Sequence, residues 1–283
     1  MAERAGRIAL YGVLLLTAAW YLLPLAVLLL NSLKPLAEIQ SGSVLALPKT
    51  WTADAWRAAW SSAQVGVDPT GLAPYFANSL RLTFAAVAIS TALGALNGYV
   101  LSHWRFRGDG IVFALILFSC FIPFQIVLIP AARVLGLLGL AGTTTGLVLV
   151  HVVYGVGFTT LFFRNYYLGF PRELIHAARI DGAGFGALFT RILLPNSLPI
   201  IAVAVIWQFT NVWNDFLFGA SFSDSDSQPM TVALNNLVNS STGVKEYNVH
   251  FAGAILAGLP TLIVYVLAGR QFVRGLLAGA VKG

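Results

Sequence analysis

Long apolar segments alternate with shorter polar ones along almost the whole chain. Six of the apolar segments approach the roughly 20 residues that a helix needs to cross a bilayer. The first is too long for the core of a signal peptide and lacks a convincing cleavage site, so it is predicted to be a retained span. The six predicted spans are Ile8–Leu30, Asn78–Leu101, Gly110–Ile129, Thr143–Phe163, Ile200–Ala220 and Phe251–Ala268.

Composition supports an all-α, polytopic membrane protein rather than a soluble domain. Charged residues make up 10% of the 283 residues and hydrophobic residues 58%, whereas soluble domains carry about 25% charged residues. Mean hydropathy is +0.79. The single cysteine, Cys120, supports neither a disulfide framework nor a metal cluster. The basic residues flank the spans instead of forming a stripe with aromatics, so no nucleic-acid partner is predicted.

Lys and Arg concentrate on one side of the predicted bundle. If both chain ends share a side, that side carries eleven basic and four acidic residues, and the other side six and seven. Short loops rich in Lys and Arg stay in the cytoplasm, so both termini are predicted to be cytoplasmic. The eleven basic residues are Arg4, Arg7, Arg105, Arg107, Arg164, Arg172, Arg179, Arg191, Arg270, Arg274 and Lys282.

Two segments on the opposite side are long enough to meet an external partner. Ser32–Tyr75 contains three tryptophans, Trp51, Trp56 and Trp60. An interfacial aromatic belt is the more ordinary interpretation of such a segment, and a docking surface is the alternative. Ser221–His250 is polar and fits either a solvated loop or a contact with an external protein.

Small residues in the second span predict close helix packing. Ser90, Gly94 and Gly98 recur every fourth residue, and Gly253 and Ala257 have the same spacing in the sixth span. Small residues on one face let a neighbouring helix approach closely. This pattern predicts packing and identifies no function.

Polar residues in the fifth span are the candidates for a translocation pathway. Gln208, Asn211 and Asp215 have the spacing i, i+3, i+7, which places them on one helical face, with Asn214 close by. Polar groups are costly in lipid, so this face is expected to point into the bundle or a wet path. Hydrogen bonding between helices is the alternative. His151 is a weaker candidate, because a lone histidine is more often structural.

The most elaborate polar segment runs from Pro171 to Pro199, between the fourth and fifth spans. Pro171 suits the first turn of a helix, where its missing N–H costs nothing, and Glu173 is favourable near the positive end of the helix dipole. Gly182 is predicted to end this helix in a left-handed conformation. Its shared apolar face is predicted to hold Leu174, Ala177 and Ala178.

A second short helix is predicted over Phe185–Leu193, after which Pro195 and Pro199 redirect the chain. Together the two helices form a helix–turn–helix elbow on the cytoplasmic side. On physical grounds alone, an amphipathic helix lying at the membrane surface without a partner is slightly favoured.

Three stretches resemble one family of transporters. Glu173-Leu-Ile-His-Ala-Ala-Arg-Ile-Asp-Gly-Ala183, with Phe189, Ile192, Pro195 and Pro199 beyond it, resembles the EAA loop of binding-protein-dependent ABC importer permeases. Trp213-Asn-Asp-Phe-Leu217 resembles the fifth-span signature of the carbohydrate group that includes the smaller maltose permease. Gly275-Leu-Leu-Ala-Gly-Ala-Val-Lys-Gly283 resembles that group's C-terminal tail. The overall pattern resembles permeases for glucose or mannose.

The resemblance implies one transmembrane domain over 1–283, with a coupling loop over 164–199 and a cytoplasmic tail over 271–283. It implies that the elbow sits in a cleft of an ATPase subunit and that Gly279 and Lys282 of the tail lie near the interface of the two ATPase subunits. The residues it assigns to ATPase coupling are Glu173, His176, Ala177, Ala178, Asp181, Gly182 and Ala183.

One position departs from the family pattern. The family has Glu, Ala, Ala where this chain has His176, Ala177 and Ala178. The acidic contact to the ATPase would then come from Glu173, one turn earlier, or from the partner permease.

The resemblance also implies the partners. These are a second homologous permease, two ATP-binding cassette subunits, an extracytoplasmic sugar-binding protein and the lipid of a bacterial-type inner membrane. The chain has no G-x-x-x-x-G-K-[ST] sequence for binding phosphate. No cofactor or metal is therefore predicted on this chain, and ATP and Mg are expected on the partner subunits.

Two other functions compete with this prediction. A secondary, ion-coupled sugar carrier usually places coupling carboxylates within the membrane, and Asp215 is the one candidate. A membrane-embedded enzyme is disfavoured, because the sequence has no H-E-x-x-H motif and no cluster of acids within the spans. A chain without a catalytic site, acting as a transport subunit, is predicted.

Overall fold

The computed structural model describes residues 2–104, 106–239 and 245–280, and in these residues the chain is helical. The described part forms thirteen α-helices and only isolated β-bridges. Arg105 and Lys282 lie outside it. The helices are α1 Ala2–Ser32, α2 Leu36–Ser41, α3 Asp54–Ser61, α4 Ala73–His103, α5 Asp109–Ser119, α6 Phe124–Leu137, α7 Thr144–Leu168, α8 Arg172–Ile180, α9 Phe185–Ala187, α10 Leu198–Trp213, α11 Leu217–Phe222, α12 Met230–Asn239 and α13 Tyr247–Ala280.

Four of these helices, α1, α4, α7 and α13, are long and apolar enough to cross a membrane. Two bent pairs reach the same hydropathy only when each pair is taken as one span. The first pair is α5 with α6, bent by 103°, and the second joins Phe185–Leu193 to Pro195–Trp213 with a bend of 43°. The described residues therefore provide four to six apolar spans.

The third predicted span, Gly110–Ile129, is wrong as a continuous helix. Helix α5 ends at Ser119, and α6 begins at Phe124 after Pro123, whose backbone is extended at φ −60° and ψ 123°. Proline cannot donate a helical hydrogen bond and its ring clashes with the preceding turn, so it starts a new helix more readily than it continues one. Pro123 therefore lies at the break between α5 and α6.

The fifth predicted span, Ile200–Ala220, is interrupted as well. Helix α10 ends at Trp213, and α11 begins at Leu217. Between them, the Asp215 carboxylate accepts hydrogen bonds from the backbone N–H groups of Phe218, at 3.3 Å, and Gly219, at 3.0 Å. An Asp side chain that binds backbone N–H groups offers the chain an alternative to a continuous helical ladder.

The chain divides into two compact units. The first comprises Met1–Pro74 and Ala233–Leu259, and the second comprises Tyr75–Val232 and Pro260–Gly283.

Side-chain hydrogen bonds hold the segment after α1 in the first unit. Lys34 is buried, and its Nζ donates to Asn31 Oδ1 at 3.0 Å. Asn248 Nδ2 donates to the Lys34 carbonyl at 3.2 Å. Glu38 accepts from the Lys49 N–H at 2.7 Å, and this bond holds the pKa of the exposed carboxyl below its ordinary value. The segment predicted as a long outer loop thus contains α2, α3 and an ordered connection.

The three tryptophans of that segment differ in exposure. Trp51 is exposed, whereas Trp56 is half-buried and donates from Nε1 to Ser32 Oγ at 3.1 Å. Trp60 is 40% exposed. An aromatic belt and a docking surface both remain predictions for them. The polar segment Ser221–His250 also contains a helix, α12.

In the second unit, the small residues of α4 allow α7 to approach closely, as predicted. A β-carbon at Gly94 would lie less than 3.0 Å from Thr159, and one at Gly98 would lie 2.6 Å from the Phe163 β-carbon. Within the first unit, Gly253 is also closely packed, because a β-carbon there would lie 3.0 Å from the Leu237 side chain.

The last helix extends into the C-terminal segment. Helix α13 continues through Ala280 and includes Gly279. Extending an existing helix avoids the cost of nucleating a new one. Alanine is the strongest helix former, so the alanines here favour the extension although the glycines do not.

Candidate functional site

Helix α8 ends in a glycine-dependent turn. Gly182 has φ +83°, which confirms the predicted left-handed conformation. Its N–H donates to the Arg179 carbonyl at 3.1 Å, and the Ala183 N–H donates to the Ala178 carbonyl at 2.8 Å. This pair of bonds is a Schellman motif, which satisfies carbonyls that a helix end otherwise leaves unpaired. Asp181 is the C-terminal cap residue.

The first residue of α8 is Arg172, and Pro171 occupies the N-cap position, one residue earlier than predicted. An extended ψ of 121° at Pro171 suits this boundary position. The carboxylate of Glu173 lies in the first turn, as predicted.

The buried face of α8 is not the predicted one. Ile175 and Ala178 are buried, at 3% and 7% exposure, whereas Leu174 is 52% exposed. Ile175 and Ala178 share a core with Tyr99 of α4 and Tyr167 of α7. That core lies on the side of Ile175, so the face predicted from Leu174, Ala177 and Ala178 is turned partly outward.

Helix α8 therefore presents an outward face while its inner face is anchored. Most of the residues assigned to ATPase coupling are on or beside this outward face. The exposed ones are Glu173, His176, Ala177, Asp181 and Gly182, with Ala183 half-buried and Ala178 buried. A cavity of about 260 Å³ borders His176, Arg179 and Ile180.

Aromatic side chains at the end of α4 anchor the elbow. The Tyr99 hydroxyl donates to the Phe185 carbonyl at 3.1 Å, and the Tyr99 ring stacks on Phe189 with centroids 5.3 Å apart. The Arg179 guanidinium lies 5.7 Å from the centre of the Trp104 ring, within cation–π distance. Arg179 also donates to the His103 carbonyl at 3.3 Å. These contacts join α8 and α9 directly to the end of an apolar span.

The second predicted elbow helix, Phe185–Leu193, is present but irregular. It comprises α9 and a π-helical turn over Leu188–Leu193, and a 3₁₀ turn over Pro195–Ser197 connects it to α10. Leu188 and Leu193 are buried in the core that also contains Ile175. Phe189 and Ile192 pack against that core.

A second candidate site lies at the break between α10 and α11. A cavity of about 700 Å³ is bordered by all four residues predicted for a pathway, Gln208, Asn211, Asn214 and Asp215. Asn214 and Asp215 lie beyond the end of α10, so the single helical face predicted for Gln208, Asn211 and Asp215 is wrong for Asp215. The break in the helix, rather than helical periodicity, directs them to the cavity.

Gln208 has a structural role at this cavity. It is 2% exposed, and its amide nitrogen donates to Ser90 Oγ at 3.0 Å and to the His151 carbonyl at 3.1 Å. It thus links α10 to α4 and α7. Hydrogen bonding between helices, the alternative considered from the sequence, describes this residue.

Asp215 faces a buried histidine. Its Oδ2 lies 3.7 Å from His151 Nε2, which is longer than a hydrogen bond. His151 is 5% exposed, and its Nε2 has no hydrogen-bond partner within the described residues. The two groups border the same cavity.

Aromatic rings form much of the remaining cavity wall. Trp207 and Phe158 have centroids 4.5 Å apart, and Tyr154 and Phe218 are 5.2 Å apart. Asn211 is exposed and donates to the Trp207 carbonyl at 2.8 Å. The wall combines aromatic surface with amide, imidazole and carboxylate groups.

Several of these residues were not predicted from the sequence. Phe158 continues the spacing i, i+3, i+7 of His151 and Tyr154, so a search for a shared face on the fourth span would have grouped it with them. Tyr99 and Trp104, near the end of α4, had a weaker indication in the sequence, because they form an aromatic cluster beside the end of a span. Nothing in the sequence singled out Trp207, which directly precedes Gln208.

Comparisons with known proteins found related sequences along most of the chain. The family described as "Binding-protein-dependent transport system inner membrane component" matches residues 90–276. A probable ABC transporter permease protein of Pyrococcus horikoshii is 37% identical over 278 residues, covering 98% of each chain. An arabinooligosaccharides transport system permease protein of Bacillus subtilis is 30% identical, covering 98% of this chain and 96% of its own length.

A solved structure has the same fold. A chain of a bacterial ABC transporter involved in the import of the acidic polysaccharide alginate superposes with a TM-score of 0.81. The match covers 96% of this chain and 98% of the other at 21% identity.

Proposed function

The chain belongs to the family of binding-protein-dependent transport system inner membrane components, and from this premise we propose that it is a permease subunit of an ATP-driven sugar importer. Members of this family are transport subunits and not enzymes. Relatives along nearly the whole chain are permeases, one of them for arabinooligosaccharides. The assignment to sugar import rests on these relatives.

The observation that carries the coupling role is the anchored elbow with its outward face. Ile175 and Ala178 fix α8 to the core, while His176 and Ile180 remain exposed, Ile180 at 86%. A rigid helix that exposes an apolar residue beside charged ones fits a protein partner. We assign to this face the ATPase-coupling role of the elbow over 164–199.

The proposed topology has six spans in one transmembrane domain over 1–283, with both termini and the elbow in the cytoplasm. The charge distribution of the sequence supports this orientation. The partners are a second permease, two ATP-binding cassette subunits and an extracytoplasmic sugar-binding protein. ATP and Mg would bind to the cassette subunits.

We further assign the pathway to the cavity beside Asn211, Asn214 and Asp215, with Gln208 as a structural link between helices. The tail over 271–283, with Gly279 and Lys282, is assigned to the interface between the ATPase subunits.

The coupling face is tested by placing a charge on it. Ile180→Asp is expected to abolish co-purification of the ATPase subunits with the tagged chain, because a carboxylate would have to be desolvated in the contact. Val67→Asp, at a site 85% exposed outside the elbow, is the matched control and is expected to retain them. Equal recovery of ATPase subunits with both variants would contradict the coupling role. Sugar uptake driven by a proton gradient without ATP would instead support the ion-coupled carrier.

A further inference from the structure

The cavity at the break between α10 and α11 has features of a ligand site on this chain itself. Its volume of about 700 Å³ falls within the roughly 300–1,000 Å³ of pockets that hold small molecules. Most of its wall is apolar or aromatic, with a few polar groups converging on it. We propose that this cavity holds one ring of an uncharged sugar during transport, a proposal that rests on the proposed function.

The charge of the wall favours an uncharged ligand. Among the described residues that border the cavity there is one carboxylate, Asp215, and no Lys or Arg. An anionic sugar would lose its hydration without gaining a cationic partner, and Asp215 would repel it. The absence of a paired cation in this wall therefore disfavours uronic acids.

A hydroxyl group can bridge His151 Nε2 and Asp215 Oδ2, which do not hydrogen-bond to each other directly. Nε2 and Oδ2 are 3.7 Å apart, too far for a direct hydrogen bond but close enough for one oxygen to reach both. A sugar hydroxyl both donates and accepts, so it can donate to Asp215 while pairing with the imidazole. This contact would satisfy His151 Nε2, which is buried without a hydrogen bond in the described part of the chain.

The aromatic part of the wall suits the apolar face of a sugar ring. Trp207 and Phe158 lie together with their rings inclined by 38°, and Trp207 is half-buried. Asn214 borders the same cavity with an exposed amide. Stacking on Trp207 combined with hydroxyl contacts at His151 and Asp215 would fix the orientation of one ring.

The first experiment measures which sugars the whole importer carries. The complex is reconstituted in vesicles with its external binding protein and offered labelled neutral mono- and disaccharides and the matching uronates. ATP-dependent uptake of a neutral sugar, with the uronates excluded, is the expected result. Uptake of a uronate at a comparable rate would overturn the inference and leave the proposed function standing. ATP-dependent uptake of none of them would contradict the proposed function, and the inference with it.

The second experiment tests the wall directly. Trp207→Ala is expected to lower uptake about tenfold, the scale of losing one good apolar contact in a substrate site, while ATP hydrolysis stimulated by the binding protein persists. Trp207→Phe is expected to restore most of the uptake. Trp20→Ala, at a site 74% exposed on α1, is the control for losing a tryptophan from a span.

A purely structural role would have another signature, in which hydrolysis and the amount of assembled complex fall together with uptake. His151→Gln provides an independent variant, because it alters the hydroxyl contact and leaves the Trp207 surface intact. An unchanged ratio of uptake to hydrolysis in both Trp207→Ala and His151→Gln would overturn the inference.

Discussion

At Gly182 the backbone adopts a conformation that few other residues accept. Its φ of +83° lets the chain turn directly after α8 and close both hydrogen bonds of the Schellman motif. No atom lies within 4 Å of the place where a β-carbon would be. The requirement for glycine is therefore one of backbone conformation and not of space.

Gly182→Val is expected to weaken ATPase recruitment and transport. A left-handed conformation costs an ordinary residue about 1–2 kcal/mol, and a β-branched one tolerates it least. Gly184→Val is the matched control, because Gly184 has equal space and a φ of −77° that any residue adopts. Co-purified ATPase and sugar uptake are measured for both variants. If the two variants behave alike, the turn at Gly182 is not needed for coupling.

The structural roles of single residues could be predicted from the sequence to different extents. The left-handed turn at Gly182 was predictable, because a glycine directly after an amphipathic segment commonly ends the helix in this conformation. Asp215 was predictable as a polar group directed inward, but not as the residue that caps α11 and faces His151. That role depends on where α10 ends and on contacts with another helix. Neither can be predicted from the spacing of residues along one helix.

Among the elements, helices α4 and α7 are joined at glycines that leave no room for a side chain. A β-carbon at Gly98 would lie 2.6 Å from the Phe163 β-carbon and 2.7 Å from the Arg164 backbone nitrogen. Neither atom is at the end of a flexible side chain. The contact can be relieved only by moving one helix away from the other.

Gly98→Ala is expected to destabilise the protein by about 1–3 kcal/mol, the usual cost of overpacking. Gly258→Ala is the matched control, because it makes the same change in a helix with open space. Helix propensity alone would make either change stabilising by up to about 1 kcal/mol. Thermal unfolding in detergent distinguishes the two, and a stabilised Gly98→Ala would contradict the close approach.

The tail is the second element with a testable role. Removal of Ala278–Gly283 is expected to preserve the spans and ATPase recruitment but to change the ratio of sugar uptake to ATP hydrolysis. The removed residues include the last turn of α13 and Lys282, which lies outside the described residues. Both rates are measured in the same vesicles, with Lys282→Ala separating the charge from the backbone. An unchanged ratio in the truncated complex would leave the tail without a role in coupling.

The elements followed from the sequence more reliably than their continuity did. Hydropathy located the segments that became α1, α4, α7 and α13, because apolar length is a local property. It did not show the breaks near residues 120–123 and 214–216, because the hydropathy of an apolar segment is the same whether or not its helix bends. Pro123 was a sequence signal for the first break. The second break has no such signal, because it depends on the Asp215 side chain accepting backbone N–H groups of a new helix.

At the scale of the whole molecule, the second unit contains both the cavity proposed as a pathway and the elbow proposed to couple to an ATPase. The sequence lacks a phosphate-binding loop, and its longest predicted cytoplasmic segment, 164–199, is far shorter than a nucleotide-binding domain of roughly 100 residues or more.

The purified chain without partners is expected neither to bind nor to hydrolyse ATP. Equilibrium binding of labelled ATP and phosphate release are measured for the chain alone. The same chain assembled with its ATPase subunits serves as the positive control. Saturable ATP binding by the isolated chain would contradict the assignment of nucleotide chemistry to partner subunits.

The close contact between Gly155 and Gln208 constrains how the two positions can change over evolution. A β-carbon at Gly155 would collide with the Gln208 amide, which bonds to Ser90 and to the His151 carbonyl. A larger residue at the first position would displace this amide from its hydrogen bonds, whereas a shorter side chain at the second position would leave room for it. Across distant relatives the two positions should therefore covary, so that a glycine at one accompanies a long amide at the other although 53 positions of sequence separate Gly155 from Gln208.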